Sequence, residues 1–574
     1  MKKNNIMESH YTKLFCMLCG YFLLTLVLYT LCNLIRFKNC LGLIQILSIV
    51  IPIIVYLINN NQGNQLRNII ITISLYLFLL IIVPFLYGKT YDLTIDGNSY
   101  HKTAIAFIKN GWNPLYESST RFQEKNNKVV KFNKNDRIDL WIEHYPKATW
   151  IISASMYNMT GSIESGKSIT FIFSIMLLII SFYCLRTIID KKWSLIISLI
   201  ILLNPIVISQ FFTYYVDSLM AICFTIELLL LFMINPLNKQ NKKLWMCIIS
   251  ICTMFTNLKY TGLLCSGIIA AVFYFYWIFK YHTKKDFIKK FNIITILFTI
   301  TFSIAIFLVG SSSYVKNTIE HRNPLYPIIG KNKVDIITTM QPKSFKDKSM
   351  IDKFIISIFS KTENVTYYSG KPSLKLPFIV YKEEINSLLV PDVRIGGFGP
   401  LFAFLLIISF IAFIISIVIF IKNNKKNISY VLLPILAIVI TMILVGENWW
   451  ARYVPQLYLI PVGTLILLIY DYKYLRKKKI FNILIFLIII TIFSNTLCFS
   501  KTIKELLNSY VQINSDLNEM YNKENVKLRL SSKGLYGYYY NLNDKGINYT
   551  IVSDIDKEKI RYKYCWRVEV EADE

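Results

Sequence analysis

Two carboxylates and an imidazole, Asp92, Asp96 and His101, fall close together in residues 91–116, YDLTIDGNSYHKTAIAFIKNGWNPLY. The stretch follows a long apolar run, so it lies where a chain leaves a bilayer and meets water. A carboxylate held there, partly desolvated, can act as general base toward a hydroxyl brought to it. Asp96 is the residue read in that role, and it also stands where it would cap a following helix by accepting backbone N–H groups. Asp92 has two readings: it shares a divalent cation or the base role with Asp96 if both face one cavity, or it is a solvated loop acid. His101 would orient Asp96, bind an acceptor or sit in solvent.

A second set of residues is cationic. Lys259 lies in NLKYTG, Arg322 in HRNPLYP, Arg394 in DVRIGGFGP and Arg452 in GENWWARYVPQ. Each falls at the outer end of an apolar run, where positive charge is disfavoured. Either the side chains snorkel to lipid headgroups, or they converge on a phosphate, which arginine binds bidentately and lysine as a point charge. Trp449, Trp450 and Tyr453 beside Arg452 suit an interfacial aromatic belt or a sugar-stacking platform. Asp217 in YYVDSL and Tyr145 in HYPKATW are placed in the same cavity. Glu227, in mid-span, would cost roughly 2.5–3.5 kcal/mol to insert, so it is expected to face the bundle interior.

These residues need a membrane scaffold, and the composition supplies one. Of 574 residues 54% are hydrophobic, with a mean hydropathy of +0.45. Apolar runs recur at 12–35, 41–59, 68–88, 168–188, 193–212, 215–234, 244–258, 262–280, 291–310, 398–421, 428–446, 454–471 and 479–498. Each is of the order needed to cross roughly 30 Å of hydrocarbon as a helix, the default where lipid offers no partner for free backbone groups. The fold class expected is an all-α polytopic membrane protein of about thirteen transmembrane helices, with external loops and a small external C-terminal α/β-like region. The organisation is three spans (1–88), a first external loop with a surface helix and the catalytic acid (89–167), spans four to nine (168–310), an external cap (311–397), spans ten to thirteen (398–498) and an external C-terminal region (499–574).

The net charge of +28 is scattered through short inter-span loops, which points to topology signals and anionic headgroups, with no nucleic acid as partner. With the N-terminus inside, Arg186/Lys191/Lys192, Lys239/Lys242/Lys243, the lysines from Lys280 to Lys290, Lys422/Lys425/Lys426 and the cluster from Lys473 to Lys479 all face the cytoplasm. One long span over 244–280 would invert every later loop, so a break at NLKYTG is expected. Lys2 and Lys3 precede an apolar run without a clear cleavage site, which reads as an uncleaved first span. Within 98–109, Tyr100, Ala104, Ile105 and Ile108 make a helical apolar stripe suited to a helix lying on the membrane surface. Residues 118–138, rich in lysine and asparagine, read as a loop.

Two motifs mislead. Residues 161–168, GSIESGKS, fit the phosphate-binding loop pattern, but they open an apolar span without a preceding strand and face away from nucleotide. Cys16 and Cys19 form a CxxC inside the first span with no second ligand pair, which fits packing better than metal.

An acid shortly before YH in the first external loop, then GWNPLY, HYPKATW, YYVDSL, NLKYTG, RNPLYP, RIGGFGP and WWARYVPQ, resembles the bacterial multi-spanning GT-C glycosyltransferases, the superfamily of protein O-mannosyltransferases and aminoarabinose transferases. The similarity runs over roughly residues 85–470. It implies an inverting transferase that moves a sugar from a polyprenyl-phosphate donor to a hydroxyl of an envelope glycan, lipid or protein acceptor on the extracytoplasmic face of the plasma membrane. The first-loop acid would be catalytic, which maps onto Asp96. Lys259 and Arg452 would steady the leaving phosphate, with Arg322 and Arg394 as helpers and Asp217, Tyr145, Trp449 and Trp450 lining the cavity. No cofactor is required beyond a divalent cation at Asp92 and Asp96, which stays open. Three spans before that loop and the tail after residue 499 depart from the simplest members. Two rivals remain: a polymerase or ligase using a lipid-diphosphate donor, kept open by His321 and Arg322, and a lipid or polysaccharide transporter or flippase, which would need broken helices in related halves.

Overall fold

The computed structural model describes residues 9–60, 66–125, 138–238, 241–283, 286–335, 337–368, 370–424, 428–472, 479–523, 526–530, 535–552, 562–564 and 568–571. Most of residues 118–138 and the topology cations Lys239, Lys284, Lys285, Lys425, Lys426, Lys473 and Arg476 lie outside them, as do Lys2 and Lys3. Among the described residues eight helices are long and apolar enough to cross a membrane: His10–Leu34, Leu41–Ile58, Leu66–Tyr87, Ile163–Leu185, Tyr260–Tyr281, Phe287–Ser312, Phe402–Asn423 and Lys479–Tyr521. The chain is a multi-pass helical membrane protein. The other five expected positions also carry helices, Lys191–Leu202, Asp217–Met233, Lys242–Thr256, Ser429–Val445 and Leu459–Asp471, each of 12 to 17 residues.

Local chemistry sets several of the bends. Pro84 has no N–H to donate and its ring crowds the carbonyl one turn earlier, and the helix widens into a π turn at Phe78–Ile82 just before it. The stretch 244–280 is two helices, with Lys259 extended between them. The Asn257 amide donates to the carbonyls of Thr253 and Ala305, and a Cβ on Gly262 would lie 2.1 Å from the Phe255 carbonyl oxygen. The break is therefore built into the packing.

The first-loop helix does not lie on a lipid surface. It is a π turn at Gly97–His101 running into Lys102–Lys109, and residues 102–108 are buried all round, Lys102 included. Its apolar stripe packs on Ala148–Thr160, and the polar side is covered by the distant C-terminal helix Gly537–Asp544. Asn541 of that helix accepts from Lys102 at 2.9 Å and donates to Glu164 at 2.9 Å. Glu164 pairs with both Lys102, at 2.6 Å, and Lys167, at 2.7 Å, all three fully buried. The GSIESGKS lysine is thus spent on an internal ion pair. Asp544 accepts from the Ile163 amide at 2.6 Å and from the Tyr157 hydroxyl.

The last membrane-type stretch, Lys479–Tyr521, is two consecutive helices, Lys479–Leu497 and Ser500–Tyr521, and the chain then forms a four-stranded sheet of order β2-β1-β4-β3. Here β1 is Val526–Leu530, β2 Tyr549–Ile551, β3 Tyr562–Tyr564 and β4 Val568–Glu571, with β1 parallel to β2 and the other pairs antiparallel. Residues 311–397 contribute helices Tyr314–His321, Met350–Phe359 and Lys382–Ser387 and a small core of Phe345, Val365 and Ile395 on Trp449 and Trp450.

Breaking a buried ion pair by removing one partner strands the other charge, at a typical cost of about 3–5 kcal/mol. Glu164→Ala strands two lysines. It is expected to lower the thermal unfolding midpoint of the detergent-solubilised protein sharply, while Lys125→Ala, on an exposed pair with Glu117, leaves it unchanged.

Candidate functional site

Arg452 is the hub of a buried charge cluster. Its Nε donates to Asp217 Oδ2 at 2.8 Å, its Nη2 to Asp96 Oδ2 at 3.3 Å and its Nη1 to Asp392 Oδ2 at 3.1 Å. Lys259 donates to the other oxygen of Asp217 at 3.0 Å. The short turns Ala451–Tyr453 and Pro455–Tyr458 fix the arginine backbone. Asp217 opens helix Asp217–Met233, and the helix break before Tyr260 frees Lys259 to reach it. The Arg452 guanidinium lies 4.4 Å from the centre of the Tyr215 ring, and the Lys259 ammonium 4.3 Å from that of Tyr453, contacts that favour cations. Three acids face two cations, a formal charge of −1 with every group ionised. Burial and the nearby Asp96 push the Asp392 carboxyl above its ordinary range against the pull of Arg452.

Asp96 is the open member. Its side chain is 28% exposed, against 1% for Asp217 and 15% for Asp392. It stands at the N-cap of the π turn but makes no capping hydrogen bond; its carboxylate turns to Arg452 instead. Asp92 has a different place. It is fully buried, its Oδ1 accepting from the Thr94 amide at 2.8 Å and its Oδ2 from the Tyr214 amide at 2.7 Å. A Cβ on Gly97 would fall 2.0 Å from Asp92 Oδ2, so only glycine fits beside it. Asp92 holds the loop's shape and is not a solvated acid. Asp92 is thus held by backbone amides and Asp96 by an arginine.

His101 is buried, with its Nδ1 accepting the Trp150 indole N–H at 2.7 Å. An indole only donates, so Nδ1 is unprotonated and the ring is the neutral Nε2–H tautomer. Burial lowers its pKa to about 4. Tyr100, Tyr145 and Trp150 surround it in an aromatic wall, and Tyr145 continues to Tyr260 at 5.5 Å between ring centres.

The remaining sequence candidates divide. Arg394 stays close: its guanidinium lies 5.6 Å from the Trp450 ring centre, and its Nη1 donates to Asn364 at 2.6 Å. Trp450 also underlies Arg452, at 5.5 Å. Three polar atoms here are buried without a hydrogen-bond partner, Arg394 Nε, Trp450 Nε1 and Asp392 Oδ1. Trp449 instead turns into the cap core, edge-on to Phe345, with its indole N–H on Glu447 at 2.5 Å. Arg322 is an exposed residue with φ of 54° that ends helix Tyr314–His321 and takes no part in the cluster. Glu227 is buried in the bundle interior beside Ser266 and Cys252. Sequence reasoning missed Asp392; its signal was present, two residues before Arg394 in DVRIGGFGP, and was passed over in favour of the cations.

His101 sets an acid limit. Its folded pKa of about 4 lies below the ordinary 6.5, so between these values the unfolded chain binds a proton that the folded chain refuses. Stability therefore falls as pH drops through that window. In unfolding scans of the solubilised protein from pH 7 to 4, His101→Gln is expected to flatten the fall; an unchanged slope contradicts the neutral, buried assignment.

No protein-family model, no curated protein and no solved structure matches this chain.

Proposed function

We propose that the protein is a membrane glycosyltransferase of GT-C type that moves a sugar from a polyprenyl-phosphate donor to an acceptor hydroxyl at the extracytoplasmic face of the plasma membrane. The observation that carries the reading is the convergence of Asp96, Lys259 and Arg452, residues from three distant segments, with Asp96 as the exposed acid of the set. The reading takes the shorter helices as spans too, which gives thirteen crossings. Lys242 and Lys243 open one helix whose far end meets Lys259, and Lys280 lies near the end of the next. Those cations stand a helix length from the cluster, which fits a cytoplasmic end opposite an outward site.

In the proposed reaction the acceptor oxygen attacks the anomeric carbon from the side opposite the phosphate. Its proton passes to Asp96, the bond from the anomeric carbon to the phosphate oxygen breaks, and the electron pair leaves on the phosphate with inversion of configuration. Arg452 has five N–H groups and Lys259 three, so both retain donors after binding their carboxylates. The unpartnered N–H groups of Arg394 and Trp450 are further donors for the phosphate or sugar, in a water-poor setting where such bonds count most.

Asp96→Asn is expected to remain folded and to lose sugar transfer in membranes supplied with labelled polyprenyl-phosphate sugars; wild-type turnover refutes the assignment. Arg452→Ala and Lys259→Ala each remove a donor to the leaving phosphate and should cut turnover by about 100–1,000-fold. Both should weaken donor binding more than acceptor binding, and the opposite ordering counts against the phosphate role.

A further inference from the structure

Away from the Arg452 cluster, His144, Glu320 and His321 each offer one ligand atom, and the three atoms lie within 4.8 Å of one another. His144 ends helix Ile138–His144, in the first loop, while Glu320 and His321 end Tyr314–His321, in the cap. The chemistry of the set is two imidazoles and a carboxylate, nitrogen and oxygen donors of borderline softness that suit zinc better than magnesium or calcium.

The surroundings prepare the imidazoles. The Asn317 amide nitrogen donates to the Tyr260 hydroxyl at 2.9 Å and to the Tyr326 carbonyl at 3.0 Å, which fixes the amide's direction. Its oxygen then lies 2.7 Å from His144 Nδ1. An oxygen there accepts, so Nδ1 carries the proton and Nε2 keeps its lone pair. A second hydrogen bond of this kind is how metal-bound histidines are oriented and made more basic. His321, though exposed, is held by stacking on Tyr326 at 3.8 Å between ring centres and by an edge-on contact with His144 at 4.9 Å.

All three side chains line a cavity of about 320 Å³ that also takes in Glu143, Lys316 and Asp139. Glu143 is occupied by Lys316 and by the Ser119 amide, so it does not compete as a ligand. Metal ligands at about 2.0–2.1 Å from zinc sit roughly 3.3–3.5 Å apart, so the group, whose atoms lie within 4.8 Å of one another, has to draw in by about an ångström to close on the ion.

We propose that His144, Glu320 and His321 bind one divalent transition-metal cation, with zinc as its probe. The metal clasps the first loop to the cap, and the fourth coordination position opens on the cavity, where it takes water or an anionic oxygen. The site shares no residue with the Arg452 cluster. The two are joined through Tyr260, which follows Lys259 and whose hydroxyl donates to the His144 carbonyl at 2.5 Å, and through Tyr145, which follows His144 and packs on Tyr260.

The test uses the full-length protein in detergent, stripped with chelator and titrated with zinc by calorimetry. Wild type is expected to take up about one equivalent and to unfold at higher temperature with zinc. Glu320→Gln and His321→Asn, both at exposed positions where folding is unaffected, should weaken binding at least tenfold and abolish the thermal shift. Cobalt(II) should give visible absorption of a low-symmetry site in wild type that His321→Asn removes. Absence of uptake by folded wild type, or uptake equal in the variants as adventitious cysteine binding would give, overturns the proposal. Activity is not the readout, so the result stands whether or not the glycosyltransferase reading survives.

Discussion

A single guanidinium ties the molecule's polar centre together. Arg452 contacts carboxylates from the first loop, from the start of helix Asp217–Met233 and from the segment preceding Phe402–Asn424. A charge this deeply buried is tolerated only when paired and hydrogen-bonded, so the segments that supply its partners must return to the same point whenever the chain folds. Arginine suits the task because its planar fork presents donors in several directions at once. A lysine there could not span the same three acids in fixed geometry.

A second buried network stands behind the first and sets where Asp96 points. Asp92 is held by two backbone amides, while Glu164 pairs with Lys102 and Lys167 and shares Asn541 with Lys102 beneath the same loop. The tail after residue 499 is thereby part of the scaffold: Gly537 approaches Asn98 so closely that a Cβ would lie 2.6 Å from its Cα. Low local dielectric makes such networks rigid when fully satisfied and costly when broken. The rigid network and the more open Asp96 are therefore complementary, one fixing the loop and the other left partly exposed.

The apolar runs, the break at NLKYTG and the pairing of the first-loop acid Asp96 with Arg452 far along the chain were legible because each rests on a local rule: length against bilayer thickness, polar residues interrupting a span, charge where charge is disfavoured. The first-loop helix was misplaced for an equally physical reason. Tyr100, Ala104, Ile105 and Ile108 form a stripe whether the opposite face meets water or protein, and Lys102 is buried by Glu164 and by Asn541 and Tyr538, the last two more than 400 residues away. Trp449 and Trp450 are neighbours of the same type that stack on each other in the cap core, yet Trp449 meets Phe345 edge-on while Trp450 lies under two arginines. Nothing in their order distinguishes them.

The sequence by itself determined that this is a multi-pass helical membrane protein and which residues are chemically unusual for such a chain, because hydropathy and charge act through the solvent each segment meets. Tertiary structure alone decided that Asp96, Asp217, Asp392, Lys259 and Arg452 form one cluster, that Asp92 belongs to the loop's framework, and that His144 meets Glu320 and His321. Those meetings are set by the compensation of buried charge between segments hundreds of residues apart, which no local pattern records.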